Sequence, residues 1–201
     1  MIGIIDYDAG NIRSVEKALS YLGEETVVSR DPQVLLKADK VILPGVGSFG
    51  QAMENLHRYN LVPVIKEMVK NNTPFLGICL GLQLLFESSE ETPGILKGRI
   101  LRIPPSEGLK IPHMGWNSLH LQNDGRLFRG IPEETYVYFV HSYYLHAEEP
   151  RIVKAVTDYS TTIHASVEKD NVFACQFHPE KSSKYGLKIL ENFAKLEKEG
   201  N

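Results

Sequence analysis

A thiol and a histidine–carboxylate pair carry the chemistry in this sequence. The thiol stands in Gly77-Ile78-Cys79-Leu80-Gly81, after the apolar run Pro74-Phe75-Leu76 and before the amphipathic stretch Leu82-Gln83-Leu84-Leu85-Phe86. That order predicts strand, sharp turn, helix, which is the cysteine form of a nucleophile elbow. Glycines suit such a turn because it is strained and neighbouring backbone must pass close to it. A helix starting after Cys79 aims its unpaired N–H groups at the sulfur and favours thiolate over thiol. The base and its orienting group are sought in Gln176-Phe177-His178-Pro179-Glu180. Pro179 biases His178 towards extended backbone, and residues two apart in an extended segment point to the same side. Glu180 can then hold one imidazole nitrogen while the other faces a thiol. A third ingredient is Pro44-Gly45-Val46-Gly47. Gly47, or the Val46–Gly47 peptide, can join the N–H of Leu80 in stabilising a developing oxyanion.

Each motif alone has a plain structural reading. A histidine before proline is usually a turn or packing residue, and a glycine loop is usually a tight connection. Found together in one α/β chain, they favour nucleophilic catalysis by Cys79, His178 and Glu180. The remaining histidines (His57, His113, His120, His141, His146 and His164) make weaker cases. None falls at a metal-ligand spacing, so no metal and no cofactor is inferred.

The elements that must position these groups are legible in outline. Ile2–Asp6 reads as a buried first strand and not as a signal peptide. Ile12, Val15, Leu19 and Leu22 fall at helical spacing after Asn11, a candidate N-cap. Thr26–Ser29 reads as a strand. Asp31-Pro32 opens a short helix with Asp as cap and Pro at the first position. Val41–Leu43 is a buried strand ahead of the glycine loop. Helices are expected from about Gly50 to His57 and from Val62 to Lys70. Repeated strand–helix units predict a parallel sheet covered on both faces. The second half reads as strands at Ile100–Ile103, Ser118–Leu121, Tyr136–Leu145, Ile152–Tyr159, Ile163–Val167 and Val172–Phe177. A hairpin turn falls at Lys169-Asp170-Asn171. A last helix is expected from about Lys184 to Lys198, capped by Ser182 or Ser183. The whole predicts one α/β domain over 1–201: a flavodoxin-like, open, mostly parallel sheet with an antiparallel extension. Cys79 and His178 then fall at the carboxyl ends of strands, where open α/β sheets carry their sites.

Composition narrows the function classes. The 201 residues are 42% hydrophobic and 23% charged, ordinary for a globular domain. A net charge of −3 gives no electrostatic case for nucleic acid or an anionic membrane, and no apolar run approaches bilayer length. Two cysteines form no disulfide framework, which predicts a reducing, cytoplasmic setting. Cys175, in the apolar run Val172–Phe177, reads as an inert core thiol.

Taken together, Gly77–Gly81 with Gln83 and His178-Pro179-Glu180 resemble the core signature of the class I, triad-type glutamine amidotransferases. Further segments resemble one branch of that family along nearly the whole chain: Asp8-Ala9-Gly10-Asn11, Pro44–Gly50, Pro112-His113-Met114-Gly115-Trp116-Asn117, Tyr138–Tyr143 and Phe177–Ser183. In that branch a glutaminase forms a heterodimer with a TIM-barrel cyclase subunit. The cyclase uses its ammonia to make imidazole glycerol phosphate and aminoimidazole carboxamide ribotide in histidine biosynthesis. The resemblance implies L-glutamine as substrate, bound by Gln83, Glu91, Ser142 and Tyr143. It implies an oxyanion hole at Val46, Gly47 and Leu80. It also places Asn11, Met114, Trp116, Asn117, Tyr138 and Lys181 near the partner. One departure is that Glu90–Gly98 is several residues shorter than the family's stretch after the elbow helix. Three rivals stand beside this reading: a glutaminase subunit serving another biosynthetic pathway, a catalytically silent regulatory protein of the same fold, and a thiol hydrolase or stress protein with a related sheet, which gives no reason for Gln83 or the Pro112–Asn117 run.

Overall fold

The computed structural model describes residues 1–86 and 93–197. Glu91, and with it part of the shortened stretch after the elbow, lies outside the described residues. In chain order the first half holds β1 (Ile2–Ile5), α1 (Ile12–Tyr21), β2 (Thr26–Ser29), α2 (Pro32–Leu35) and β3 (Lys40–Leu43). It continues with α3 (Phe49–Arg58), α4 (Leu61–Lys70), β4 (Phe75–Ile78) and α5 (Leu80–Leu84). The second half holds β5 (Gly98–Arg102), β6 (His113–Ser118), β7 (His120–Leu121), β8 (Tyr136–His141) and β9 (Tyr143–Ala147). It ends with β10 (Val153–Tyr159), β11 (Thr161–Lys169), β12 (Val172–Cys175) and α6 (Ser183–Ala194).

The main sheet runs β2-β1-β3-β4-β12-β11-β10-β7. Strands β2, β1, β3, β4 and β12 are mutually parallel, and β11, β10 and β7 extend the sheet antiparallel. Side chains alternate across it, as a pleated strand requires. Ile5, Leu43, Phe75 and Val172 enter one core layer with α3, α4 and α5. Ile4, Ile42, Leu76 and Phe173 enter the other with α1 and α6. Helices therefore cover both faces, as expected for a flavodoxin-like sheet. Among the described residues, no helix is long and apolar enough to cross a membrane.

Local signals hold where the side chain has no competing partner. Asp31 caps α2 by accepting from the Gln33 N–H at 2.8 Å, with Pro32 at the first position. Two expected caps differ. Asn11 takes a left-handed conformation and its side chain caps nothing. Ser182 precedes α6 without capping it: its hydroxyl donates to His178 O at 2.6 Å and accepts from the Tyr138 N–H at 3.0 Å. In both cases a tertiary partner near His178 outcompetes the helix end. The stretch read as one strand from Tyr136 to Leu145 is two, β8 and β9, pairing in different ribbons on either side of Ser142. The segment His113–Ser118 is a strand that periodicity alone did not reveal. It pairs with β8, outside the main sheet.

Candidate active site

Cys79 follows β4 at the middle of the sheet, between β3 and β12. Its backbone sits at φ 54°, ψ −106°, a conformation rare for a residue with a Cβ. Two features hold it there. The Cys79 N–H donates to Cys175 O at 2.7 Å, and packing around the turn leaves no room for side chains. A Cβ on Gly81 would lie 1.9 Å from Leu43 O, and one on Gly77 would lie 2.7 Å from Gly81 O. The flanking glycines are thus required by close backbone approach, as the motif predicts. The sulfur is 3.8 Å from Val140 O and 3.7 Å from the Gln176 amide nitrogen, which donates to it.

His178 and Glu180 leave the end of β12 beside this sulfur. Only His178 is extended, because Pro179 opens a 3-10 turn through Lys181. The pair nevertheless meets, with His178 Nδ1 2.7 Å from Glu180 Oε1 and both side chains essentially fully buried. Asn11 Nδ2 donates to the same carboxylate oxygen and lies 3.5 Å from His178 Nδ1. Burial pulls the His178 pKa down. The Cys79 sulfur and the Glu180 carboxylate outweigh it and bring the pKa to about 9. An imidazolium at neutral pH is the counter-charge that a thiolate nucleophile needs. Among the described residues, buried His178 Nε2 has no hydrogen-bond partner, and neither does Glu180 Oε2. Catalytic pairs in ligand-free sites are often too loose for ordinary hydrogen-bond geometry and tighten only on substrate.

Cys79 opens into a cavity of about 340 Å³ lined by Val46, Gly47, Leu80, Gln83, Ser142 and Tyr143, among others. An adjoining space of about 460 Å³ shares Gly47, Gln83 and Tyr143. Both are of ligand size. Gln83 is held by two bonds, donating to Tyr143 O at 3.1 Å and to Gln176 Oε1 at 3.2 Å. The Leu80 N–H donates to Gly45 O at 3.3 Å, and Gly47 has φ +104°. A larger cleft of about 790 Å³ lies elsewhere, near Arg99, His146, His164 and Arg151, and holds none of the sequence-predicted residues.

The six residues expected near a partner divide into two groups. Met114 and Trp116 are 62% and 52% exposed on β6, and the Trp116 ring meets Tyr138 edge-on at 6.2 Å. Lys181 is exposed, with Nζ 6.0 Å from the centre of the Tyr138 ring. Asn11 and Asn117 instead use their amides within the chain, Asn11 on the buried Glu180 carboxylate and half-buried Asn117 on Asp158 O at 3.0 Å. Sequence reasoning missed Gln176 as a neighbour of the sulfur. The signal was its place two residues before His178 at the end of a buried strand, where a glutamine needs a reason.

Comparison with known proteins gives the family. The family model for glutamine amidotransferase class-I matches residues 3–196. Imidazole glycerol phosphate synthase subunit HisH of Desulfitobacterium hafniense is 51% identical over 97% of this chain and 94% of its own length. The subunit of the same name from Methanocaldococcus jannaschii is 51% identical over 98% of this chain and 100% of its own. The structure of PurLQS from Thermotoga maritima superposes with a TM-score of 0.76 at 23% identity, covering 96% of each chain, and supports the fold alone. The chain therefore belongs to the class I glutamine amidotransferase family, in the group of imidazole glycerol phosphate synthase HisH subunits.

Proposed function

We propose that this chain is a glutaminase working in histidine biosynthesis: it hydrolyses L-glutamine and passes ammonia to a TIM-barrel cyclase subunit. The observation that carries the chemistry is the strained Cys79 opening into a ligand-sized cavity beside the buried His178–Glu180 pair. The Cys79 sulfur attacks the side-chain amide carbon of glutamine, and the carbonyl electron pair moves onto oxygen. The Leu80 N–H, turning from its 3.3 Å bond to Gly45 O, and an N–H of the Val46–Gly47 peptide hold that oxyanion. His178 delivers its proton to the amide nitrogen, the C–N bond breaks, and ammonia leaves. Water then adds to the glutamyl thioester with His178 as base, releasing glutamate and restoring the thiol. Glu180 keeps the proton on His178 Nδ1 and stays ionised. Gln83, Ser142 and Tyr143, with Glu91 from outside the described residues, bind the amino-acid end. A carboxylate suits an α-ammonium, and main-chain N–H groups suit an α-carboxylate.

The partner is needed because ammonia that reaches bulk water near neutral pH becomes ammonium, a poor nucleophile. The exposed Met114 and Trp116, with Tyr138 and Lys181 beside them, suit a docking face: apolar and aromatic groups with a polar edge. Asn11 and Asn117 belong to the inner side of that face. Reorientation of the Val46–Gly47 peptide when the cyclase binds its ligand switches the site on. One missing oxyanion donor costs about 2.7–4 kcal/mol, enough to hold the enzyme nearly silent. The two free thiols suit a reducing cytoplasm, and residues 1–201 act as one domain. Ammonia release from glutamine, measured with and without the cyclase and its ligand, tests this. Strong stimulation is expected, along with loss of release in Cys79→Ala. Equal rates would reject the switch, and release by Cys79→Ala would reject the nucleophile.

A further inference from the structure

Outside the Cys79–His178–Glu180 set, a chain of hydrogen bonds, exposed at its outer end and buried at its His113–His141 step, runs from β6 to the wall of the pocket. Its proton order is determined from both ends. At the outer end, Asn117 Oδ1 accepts from the Ser118 N–H at 2.9 Å and Asn117 Nδ2 donates to Asp158 O at 3.0 Å. These two bonds fix which way the amide points. Nδ2 is therefore the atom 3.4 Å from His113 Nε2, and a donor facing that nitrogen requires it to carry a lone pair. At the inner end, His141 Nδ1 lies 2.8 Å from Tyr143 O, and a carbonyl oxygen only accepts. His141 thus holds its proton on Nδ1 and leaves Nε2 bare. Between them, His113 Nδ1 is 3.0 Å from His141 Nε2. A neutral His113 with Nε2 bare has its proton on Nδ1 and donates it there. The two ends demand the same direction, although each was read from different neighbours.

The surroundings keep both rings neutral and in plane. His113 is 2% exposed and stacks between Phe139 at 4.7 Å and Tyr159 at 4.0 Å. His141 is 5% exposed. Burial lowers the pKa of each to about 4. The inner terminus matters because Tyr143 O is doubly held, by His141 and by the Gln83 amide at 3.1 Å, and Ser142 O accepts from the Ile103 N–H at 2.9 Å. These bonds set the main chain of the turn between β8 and β9, which lines the cavity at Cys79. On β6, residues alternate: Met114 and Trp116 face outward, while His113 and Asn117 face the relay.

We propose that Asn117, His113 and His141 are positioning residues, a proton-ordered relay that holds the Ser142–Tyr143 main chain in register for the amino-acid end of glutamine. The far end of the relay is the strand whose other face bears Met114 and Trp116. The role in glutamine binding rests on the glutaminase reading above; the proton order does not.

Two measurements on the full chain test it. In the first, long-range ¹H–¹⁵N correlation of histidine-labelled protein at neutral pH reports each tautomer. His113 and His141 should both be neutral with the proton on Nδ1; a proton on Nε2 of either would overturn the relay. The second uses His113→Phe, which keeps a ring between Phe139 and Tyr159 but donates nothing. In the complex with the cyclase, this variant should raise KM for glutamine about fivefold to tenfold, with kcat within about twofold and the His141 proton still on Nδ1, where Tyr143 O holds it. An unchanged KM, or a fall in kcat at constant KM, would overturn the positioning role. A parent complex that releases no ammonia would refute the glutaminase reading and the role in glutamine binding together, while the spectrum would still decide the proton order.

Discussion

Replacing Glu180 by glutamine removes one charge and keeps the shape of the buried pair. In the folded protein His178 holds its proton up to about pH 9, against 6.5 for an unperturbed histidine. At ~1.4 kcal/mol per tenfold change, that is a preference for imidazolium on the order of 3 kcal/mol. It is a net figure. Burial works against the charge, and Cys79 and Glu180 both work for it. Glu180→Gln leaves burial and the sulfur in place, so the midpoint should fall by roughly one pH unit or more. A glutamine amide can also turn its N–H₂ towards His178 Nδ1 and force the proton to Nε2, the wrong tautomer for a base facing the thiol. An NMR titration of the His178 ring from pH 5 to 10 reads the midpoint directly, and glutamine hydrolysis reads the consequence. Stability gives a second readout. Because the folded pKa is raised, the native state binds more protons than the unfolded chain between pH 6.5 and about 9. The pairing therefore stabilises fully below pH 6.5 and is lost as pH rises through about 9. Parent protein should lose stability across that window, and Glu180→Gln should lose much less. A His178 midpoint that stays near 9 in the variant would refute the assignment of Glu180.

Other consequences are equally direct. Gly81→Ala places a methyl 1.9 Å from Leu43 O and should cost about 3 kcal/mol or more, seen in the denaturant midpoint, because the contact is backbone and cannot swing aside. Asn11→Ala removes a donor from the buried Glu180 carboxylate and should cost about 2 kcal/mol and lower glutamine turnover. Burial pushes the Cys175 thiol up to about 12, with the nearby Glu180 charge adding and the Ser166 hydroxyl opposing. Brief alkylation of native protein should therefore mark Cys79 and spare Cys175, as mass spectrometry of the peptides would show.

Much of this architecture was legible because its signals are local. The apolar runs at Ile2–Ile5, Val41–Leu43 and Val172–Cys175 are buried on both faces, and such strands announce themselves by composition alone. The elbow was legible because its glycines answer a steric demand that only glycine meets. What stayed hidden depends on partners distant in sequence. Asn11 and Ser182 look like caps, yet their side chains serve Glu180 and His178. His113 and His141 look unremarkable singly because a histidine's tautomer is set by what faces it, and those neighbours come from β6, β8 and β9. The break at Ser142 escaped the apolar pattern because Tyr136–Leu145 is apolar or aromatic almost throughout, and only the strand pairing separates β8 from β9.

The central claim is that Cys79 forms a bond to the side-chain carbon of glutamine with His178 beside it. A glutamine analogue bearing an electrophilic carbon at that position, incubated with the cyclase-bound protein and followed by peptide mass spectrometry, tests this most directly. The account predicts one adduct on Cys79, greatly slowed in His178→Asn and absent in Cys79→Ala. No adduct in the intact complex, or an adduct on Cys175, would contradict it.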